Sequence, residues 1–194
     1  MFSGIVTNLI KAQRIKKTAG AMEVTLPIPG DWKLTEGESV NIDGVCSTVK
    51  SLDDKNFSVY YMPATLKVTN LSEVSDQHEF NLERSLTLNS LVGGHLVVGH
   101  VDCVGLVANI KNEGEAKVLT INLPKDFAKY LIYKGSVAVN GVSLTVVKEN
   151  KDNFIVSLIP YTLAHTNLGT VKVGSKVNIE VDLMAKYLEK LIQK

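Results

Sequence analysis

The chain contains one sequence unit twice, and this internal repeat constrains the fold more than any other feature. The segment VNIDGVCSTV at residues 40–49 returns as VAVNGVSLTV at 137–146, which is 97 residues further along. About 15 of the 33 residues at 39–71 are identical to those at 136–168, without a gap. A unit of this length is too long for a solenoid repeat and matches a small domain. The sequence therefore predicts two similar domains produced by duplication.

Each half consists of short runs of β-branched and aromatic residues separated by turn residues. The first half contains VTLPI, SVNIDGV, CSTVKSL, FSVYYM and EFNLE, and the second contains LTINL, SVAVNGV, SLTVVKE, FIVSLI and KVNIE. About six short strands per half favour a small closed barrel over a parallel sheet. We predict an all-β fold with domains at residues 1–88 and 89–181.

The last thirteen residues, 182–194, lie outside the repeat and have helical periodicity. Apolar side chains recur at Leu183, Tyr187, Leu188, Leu191 and Ile192, with Lys and Glu between them. This spacing predicts a short amphipathic helix that must bury one face. The sequence leaves open whether that face packs on its own barrel or on a neighbouring subunit.

Composition excludes several classes of function. The 194 residues carry a formal net charge of +1, and the lysines and arginines are scattered, which argues against nucleic-acid binding. No apolar run approaches the roughly 20 residues that span a bilayer, and the N-terminal apolar stretch is too short for a signal peptide. Only Cys46 and Cys103 are available, so we expect no disulfide framework and a cytoplasmic location.

Generic catalytic motifs do not assign a function. The sequence has no glycine-rich dinucleotide loop, no P-loop and no HExxH pattern. His95 and His100 are five residues apart, a spacing that fits neither a helical ligand pair nor one face of a strand. We therefore predict no metal site.

More specific segments are present in a fixed order. These are MFSGIV at the start, GGHLVVGHVD at 93–102, the pair GVCSTV and GVSLTV, KGSVAVNG, and the pair TLKVTNL and TLAHTNL. Together they resemble the riboflavin synthase family over nearly the whole chain. The resemblance implies two tandem six-stranded Greek-key barrels, with the 182–194 helix holding a homotrimer together.

The resemblance also implies a reaction. These transferases bind one 6,7-dimethyl-8-ribityllumazine per barrel and dismutate two of them, giving riboflavin and 5-amino-6-ribitylamino-pyrimidinedione in the final step of riboflavin biosynthesis. The substrate ring absorbs negative charge itself, so no cofactor is expected. An association with lumazine synthase is compatible with this reading.

The family's ligand contacts fall on matching segments of this chain. Those assigned to the first half are Gly4, Ile5, Val6, Cys46, Ser47, Thr48, Tyr60, Tyr61, Met62, Pro63, Ala64 and Thr65. Those assigned to the second half are Gly99, His100, Val101, Lys134, Ser143, Leu144, Thr145, Ile159, Pro160, Tyr161, Thr162, Leu163 and Ala164. Backbone groups and hydroxyls there can bind the pyrimidine edge and the ribityl chain, while apolar neighbours cover the ring.

Four of these residues are candidates for catalysis. His100 is favoured for proton transfer because imidazole titrates near neutral pH, the alternative being a structural histidine at the barrel junction. Cys46 and Ser143 occupy the same repeat position, and the resemblance favours a pocket role for Cys46 over an inert buried thiol. Ser143 with Thr145 could position or relay the proton of the 7-methyl group.

Other polar residues receive weaker assignments. His95 is interpreted as structural and Cys103 as buried packing. Lys134 is an exposed turn lysine on the sequence alone and a ligand contact by the resemblance. Asn140 is given no general-base role.

Three residues depart from the pattern of the family, and all lie in the first half. Thr7 stands where Glu or Gln is usual, Ser47 where Leu is usual, and Ala64 where many relatives have Glu. The resemblance is therefore closer in the second half than in the first.

Two other functions are alternatives to an enzyme. A non-catalytic lumazine- or flavin-binding antenna protein would share the fold, but such proteins lose the two histidines and much of GVSLTV, which are present here. A tandem-barrel oligonucleotide binder would need a basic groove with stacking aromatics, whereas aromatic residues are 6% of this chain.

Overall fold

The computed structural model describes residues 1–18 and 20–192, and strands dominate it. The strands of the first half are β1 (Asn8–Lys11), β2 (Arg14–Thr18), β3 (Ala21–Pro27), β4 (Ser39–Ile42), β5 (Val45–Leu52), β6 (Asn56–Tyr61) and β7 (Glu79–Arg84). Those of the second half are β8 (Cys103–Glu113), β9 (Ala116–Asn122), β10 (Ser136–Val139), β11 (Val142–Glu149), β12 (Asn153–Leu158) and β13 (Lys176–Val181). The helices are α1 (Pro63–Val68), α2 (Lys125–Ala128), α3 (Pro160–His165) and α4 (Leu183–Ile192), with 3-10 turns at Asn70–Glu73 and Asn167–Gly169.

The second half is a closed antiparallel barrel with strand order β10-β11-β12-β9-β8-β13. Strands β10, β11 and β12 form a meander, and β9 returns beside β12 through the long connection that contains α2, which is a Greek key. The long strand β8 closes the barrel because it pairs first with β13 and then, past an irregularity between Val107 and Asn109, with β9. The predicted barrel is confirmed here.

The first half repeats this order with one difference. Its sheet runs β1-β7-β4-β5-β6-β3-β2, so its two edges are β1 and β2. These two strands correspond to β8 and are separated only by Ala12 and Gln13. In the second half β8 bends but stays one strand, whereas in the first half the corresponding strand is interrupted at the bend. The first sheet is therefore barrel-like but open between β1 and β2.

Each half has its own apolar core, formed by the inward residues of alternating strands. Phe57, Phe80 and Leu26 are fully buried in the first, and Phe154, Leu119 and Ile121 in the second. A third, small cluster of Phe2, Val97 and Ala138 lies between the halves.

The halves meet about a pseudo-twofold axis. The backbones of Phe2 and Val97 exchange two hydrogen bonds of 2.7 and 3.0 Å. The tips of the β4–β5 and β10–β11 hairpins also meet, and a Cβ added at Gly44 or Gly141 would lie 2.8 Å from the other glycine's nitrogen. Two equivalent turns thus pack against each other at a distance that excludes side chains.

A buried polar network crosses the same axis. Asn81 Nδ2 donates to Asn140 O and Asn167 Oδ1, both at 2.9 Å. Asn178 Nδ2 donates to Asp43 O at 2.8 Å, and Asn167 Nδ2 donates to Asp43 Oδ1 at 2.8 Å. Asn140 therefore has a structural place in the joint. Buried networks of this kind hold two surfaces in one register because each unmet hydrogen bond is costly.

Helix α4 follows the second barrel and is held by ion pairs on its polar side. Lys186 pairs with Asp102, and Glu189 pairs with Lys129. The apolar residues Tyr187, Leu188 and Leu191 remain exposed. The predicted helix is present from 183 to 192, and Gln193 and Lys194 of that prediction lie outside the described residues. Within residues 1–18 and 20–192, no helix combines the length and apolar character needed to cross a membrane.

Candidate functional site

Two glycine segments cross from one half of the chain to the other. Gly4 O accepts a hydrogen bond from Ser143 N at 2.8 Å, and Gly99 O accepts one from Cys46 N at 2.7 Å. Val6 packs against the core of the second barrel and Val101 against that of the first. Residues 4–6 and 99–101, which the sequence analysis grouped with their own halves, therefore lie against the opposite barrel, and their role as ligand contacts stays a prediction.

Both crossing points require glycine. Gly4 and Gly99 have φ of +75° and +80°, in the left-handed region. A Cβ at Gly4 would lie 2.6 Å from Ser143 Cβ, and one at Gly99 would lie 2.7 Å from Cys46 N. The backbone at Gly4 and Gly99 thus lies directly against Ser143 and Cys46, which occupy equivalent positions in the repeat.

Two equivalent glutamates hold these segments. The Glu83 carboxylate accepts hydrogen bonds from Ser3 N, Ser3 Oγ and Gly4 N at 2.6–3.0 Å. The Glu180 carboxylate accepts from Val98 N, Gly99 N and His100 N at 2.7–3.1 Å. Burial raises the pKa of both carboxyl groups, that of Glu180 to about 6. The repeat offers a signal for both residues, because FNLE at 80–83 and VNIE at 177–180 are 97 residues apart and end on them.

A serine–histidine pair lies where Gly4 crosses over Ser143. His95 Nδ1 is 2.7 Å from Ser143 Oγ, and His95 Nε2 is buried without a partner among the described residues. Burial lowers the pKa of His95, so the imidazole is neutral at neutral pH. A Cβ on Gly94 would lie 2.8 Å from Ser143 Oγ, which explains the glycine before the histidine. The sequence interpretation of His95 as structural missed this contact.

The equivalent position in the first half lacks such a pair. Cys46 is half-buried against the Phe2, Val97 and Ala138 cluster. His100 is exposed. Its backbone N–H donates a hydrogen bond to the Glu180 carboxylate, which fixes the position of the residue. The two halves thus differ at matching positions, with a paired hydroxyl in one and a thiol in the other.

Side chains alternate between the outer face and the interior along each strand, and this alternation separates the remaining predicted contacts into exposed and buried ones. Thr48 and Thr145 are exposed on the outer faces of β5 and β11. Ser47, Tyr61 and Leu144 are buried in the barrel interiors, so a ligand could reach only their backbone. Ser47 Oγ is 2.8 Å from the Tyr61 hydroxyl, and burial raises the pKa of that tyrosine.

The turns before and within α1 and α3 carry the other predicted contacts. Proline opens each helix, which fixes the entry angle of the chain. Tyr161 stacks on His165 with ring centroids 4.0 Å apart. Tyr60, Met62, Pro63, Ala64, Ile159, Pro160, Tyr161 and Ala164 are exposed, and Thr65, Thr162 and Leu163 are half-buried.

Lys134 is exposed in a turn next to β11. Its backbone has φ of +63°, and its N–H donates to Val146 O at 2.8 Å. Its Nζ lies 5.3 Å from the centroid of the Tyr133 ring. The side chain reaches over an aromatic face.

Large apolar side chains of the predicted ligand segments face solvent in the single chain. Ile5 is 46% exposed, Met62 59%, Ile159 58% and Tyr161 65%. Apolar groups at this exposure are stabilised when a ligand or another protein surface covers them. Among the described residues, no group of three or more His, Cys, Asp or Glu side chains is arranged to hold a metal ion.

Comparison with known proteins identifies the repeated unit. The family described as "Lumazine binding domain" matches twice, at residues 3–85 and 98–182. The chain is also similar over its whole length to curated riboflavin synthases. It is 38% identical to that of Bacillus amyloliquefaciens, covering 91% of the relative, and 40% identical to that of Mycobacterium tuberculosis, covering 98%.

Solved structures show the same fold. A structure of LumP complexed with 6,7-dimethyl-8-(1'-D-ribityl) lumazine matches with a TM-score of 0.84 and 26% identity, covering 93% of this chain and 99% of LumP. A structure of LumP complexed with riboflavin matches with a TM-score of 0.86, also at 26% identity with the same coverage. The duplicated barrels, the two family matches and the full-length relatives together place this chain in the riboflavin synthase family of lumazine-binding proteins.

Proposed function

We propose that this chain is a transferase that dismutates two molecules of 6,7-dimethyl-8-ribityllumazine. A four-carbon unit passes from one to the other, giving riboflavin and 5-amino-6-ribitylamino-pyrimidinedione. The observation that carries the proposal is the full-length similarity to riboflavin synthases at 35–40% identity. The paired Ser143 and His95 give that similarity a chemical counterpart.

The duplication suits a reaction between two identical molecules. Each half presents a crossing glycine beside an outward hydroxyl or thiol, so each can hold one lumazine. Donor and acceptor are then aligned in advance, which can lower a barrier by roughly 7–11 kcal/mol. This alignment requires the two ring-binding surfaces to face each other.

We propose that the two ring-binding surfaces face each other between subunits of a homotrimer. The first half of one subunit would then face the second half of another. Supporting this are the exposed apolar residues of the ligand segments and the uncovered face of α4. Contact between neighbouring copies of α4 would bury Tyr187, Leu188 and Leu191. A trimer thus accounts for two sets of exposed apolar side chains at once.

The chemistry begins with loss of a proton from the 7-methyl group, whose anion the electron-poor ring delocalises. Neutral His95, 2.7 Å from Ser143 Oγ, can accept the serine proton while Oγ takes the methyl proton or adds to the ring. Thr145 lies on the same outward face, and His100 and Cys46 serve the lumazine held by the first half. Dismutation leaves no net gain or loss of electrons, so a redox cofactor has no part in the balance.

A reducing cytoplasm fits the two free cysteines, and we propose that location. An association with lumazine synthase, which would supply the substrate, is proposed on the same functional grounds. We also propose that the two independently folding units end at residues 88 and 181.

The second candidate is a non-catalytic lumazine- or flavin-binding protein, favoured by the similarity to LumP. The two functions separate in one assay. The purified chain is incubated with 6,7-dimethyl-8-ribityllumazine alone, and riboflavin is followed by its absorbance. Catalytic formation of riboflavin is expected, with Ser143→Ala as the impaired control. Stoichiometric binding without conversion would contradict the enzyme and establish the binding protein.

A further inference from the structure

Two neighbouring strands part at one end of the second barrel. Strands β11 and β12 are antiparallel, and their pairing begins at Val146 and Val156. β11 starts earlier, at Val142, and β12 continues to Leu158, with β10 and β9 paired on their far sides. In the space that β12 leaves beside β11, Ser143 N donates to Gly4 O at 2.8 Å. The barrel is therefore open between these strands, next to the serine of the proposed active site.

Helix α3 begins at this opening. The chain leaves β12 at Leu158 and enters the helix at Pro160, with Ile159 between them. The proline fixes the entry angle of the helix relative to the strand. Tyr161, the second residue of α3, is 65% exposed. A large aromatic side chain therefore stands three residues beyond the end of β12 and faces solvent in the single chain.

His165 covers one face of the Tyr161 ring. The two rings are stacked, with centroids 4.0 Å apart and an angle of 18° between their planes. His165 Nδ1 also donates to the backbone carbonyl oxygen of Tyr161 at 2.8 Å. Because a carbonyl oxygen only accepts, this bond places a proton on Nδ1 and fixes the imidazole against the helix. The phenol ring is thus held in one orientation, with its other face available.

The first half has a similar opening without these rings. The pairing of β5 and β6 also begins partway along the strands, and α1 follows β6 as α3 follows β12. At the positions of Tyr161 and His165, however, α1 carries Ala64 and Val68. A requirement of the barrel itself would apply to both copies. The aromatic pair therefore points to something that the second opening holds.

The fixed orientation of Tyr161 favours a flat, aromatic occupant. Stacking between rings depends on their mutual orientation, which His165 sets here, and any ligand with a π-face can take part. Packing against the aliphatic side chains of another protein places no such demand on the angle of the ring. The geometry thus fits a fused heterocycle better than a protein surface.

We propose that the Tyr161 ring stacks on the fused pteridine ring of the ligand held by the second half. His165 is the positioning residue that sets the angle of Tyr161. This inference deepens the proposed function and rests on it for the identity of the ligand. The ligand of the first half lies next to Ala64 instead, so the two copies of one compound are held by different contacts.

Riboflavin is the probe, because it contains the fused ring and, supplied alone, is not consumed by the proposed reaction. Calorimetry and flavin fluorescence measure its binding to the full-length chain, since a stacked phenol quenches flavin emission. Tyr161→Leu should weaken one site per chain about tenfold and brighten the bound flavin, and Tyr161→Phe should keep the affinity.

The positioning role has its own set of variants. His165→Ala should weaken riboflavin binding about threefold, because the phenol ring is then free to turn. His165→Phe keeps a ring against Tyr161 and should restore most of the affinity. Val68→Ala is the matched control at the exposed equivalent position of α1, and it should change neither affinity nor emission.

Absence of riboflavin binding, or unchanged affinity and emission in Tyr161→Leu, would overturn the stack. Equal binding by His165→Ala and the wild type would overturn the positioning role. Sedimentation of the same variants tests a protein occupant, because weaker subunit association in Tyr161→Leu with unchanged flavin emission would assign the ring to a protein contact and reject the proposal. Riboflavin binding as proposed without lumazine conversion would reject the reaction alone, and conversion with unchanged binding in Tyr161→Leu would reject the stack alone.

Discussion

The two halves of this chain share a barrel and differ where each meets the crossing segment of the other. In the second half, Ser143 lies under Gly4 and contacts His95, whose pKa is lowered by burial. In the first half, Cys46 lies under Gly99 and packs against an apolar cluster. Duplication thus supplied two copies of one frame, and the copies differ in that only one carries this serine–histidine contact among the described residues.

The largest expected effect tests this difference between Ser143 and Cys46 directly. Ser143→Ala, which keeps the Cβ that Gly4 packs against, should lower kcat by about 100-fold or more, as loss of a general acid–base group does. Cys46→Ala, the matched change in the first half, should lower it by less than about tenfold. Steady-state kinetics of both variants provide the comparison. Equal losses would show that the two halves contribute equally.

The histidine partner sharpens the same comparison. His95→Ala should reduce kcat about as much as Ser143→Ala, and the double variant should lose little more because the two act as one unit. Because burial lowers the pKa of His95 from 6.5, the acid limb of the wild-type pH–rate profile should lie below that value. His100→Ala serves as the other histidine variant. A greater loss there than in His95→Ala would return proton transfer to His100.

The crossing glycines should matter through stability. Gly99→Ala forces a Cβ to within 2.7 Å of Cys46 N at a positive φ, and we expect a loss of about 3 kcal/mol in the free energy of unfolding. Gly174→Ala is the control, since its φ of +91° is equally unusual but the space around it is open. That variant should lose only about 1 kcal/mol. Chemical denaturation measures both, and equal losses would remove the close approach as the cause.

The glutamates that hold the crossing segments predict a pH dependence. The pKa of Glu180 is about 6 in the folded chain, raised above 4.5 mainly by burial, with Asp102 adding to the rise. The folded state therefore binds this proton more tightly than the unfolded state does. Its contribution to stability is greatest below pH 4.5 and falls by about 2 kcal/mol as pH rises past 6.

Glu180→Gln should flatten that part of the stability profile. The measurement is urea denaturation at several pH values between 4 and 7. An unchanged slope in the variant would assign the dependence to other groups, Glu83 first among them because burial raises its pKa as well.

The smallest expected effect concerns the barrel interiors. Ser47 and Tyr61 bond inside the first barrel, at the positions of Leu144 and Leu158 in the second. Ser47→Ala should cost about 1 kcal/mol, because it leaves a buried hydroxyl with one partner fewer. The double variant Ser47→Leu, Tyr61→Leu copies the second barrel and should recover most of that loss. A double variant less stable than Ser47→Ala would show that the two barrel interiors are not interchangeable.

The sequence predicted the barrels well because the repeat aligns strands whose pattern is local. It did not predict that the crossing segments contact the opposite barrel. Gly4 and Gly99 stand 95 residues apart, while the strands repeat at 97. This two-residue difference is visible in the sequence. The barrel that each glycine contacts, however, depends on the path of the chain between the two halves. Likewise, the His95–Ser143 contact joins residues 48 positions apart and has no local pattern.

Strand alternation alone indicates which side chains of the predicted contacts point into the barrels. Ser47 lies between Cys46 and Thr48 on β5, so its side chain must point to the opposite face of the sheet. The same reasoning places Leu144 inside, between Ser143 and Thr145. The joint around Asp43 and Asn81 could not be predicted, because its hydrogen bonds connect residues from both halves.

Each polypeptide is expected to offer two unequal sites to one compound that reacts with itself. A rapid-mixing titration that counts the lumazine molecules bound per chain before product appears tests it most directly. Two bound per chain, followed by one riboflavin for every two lumazines consumed, is the predicted result. One bound per chain with no riboflavin formed would contradict the account.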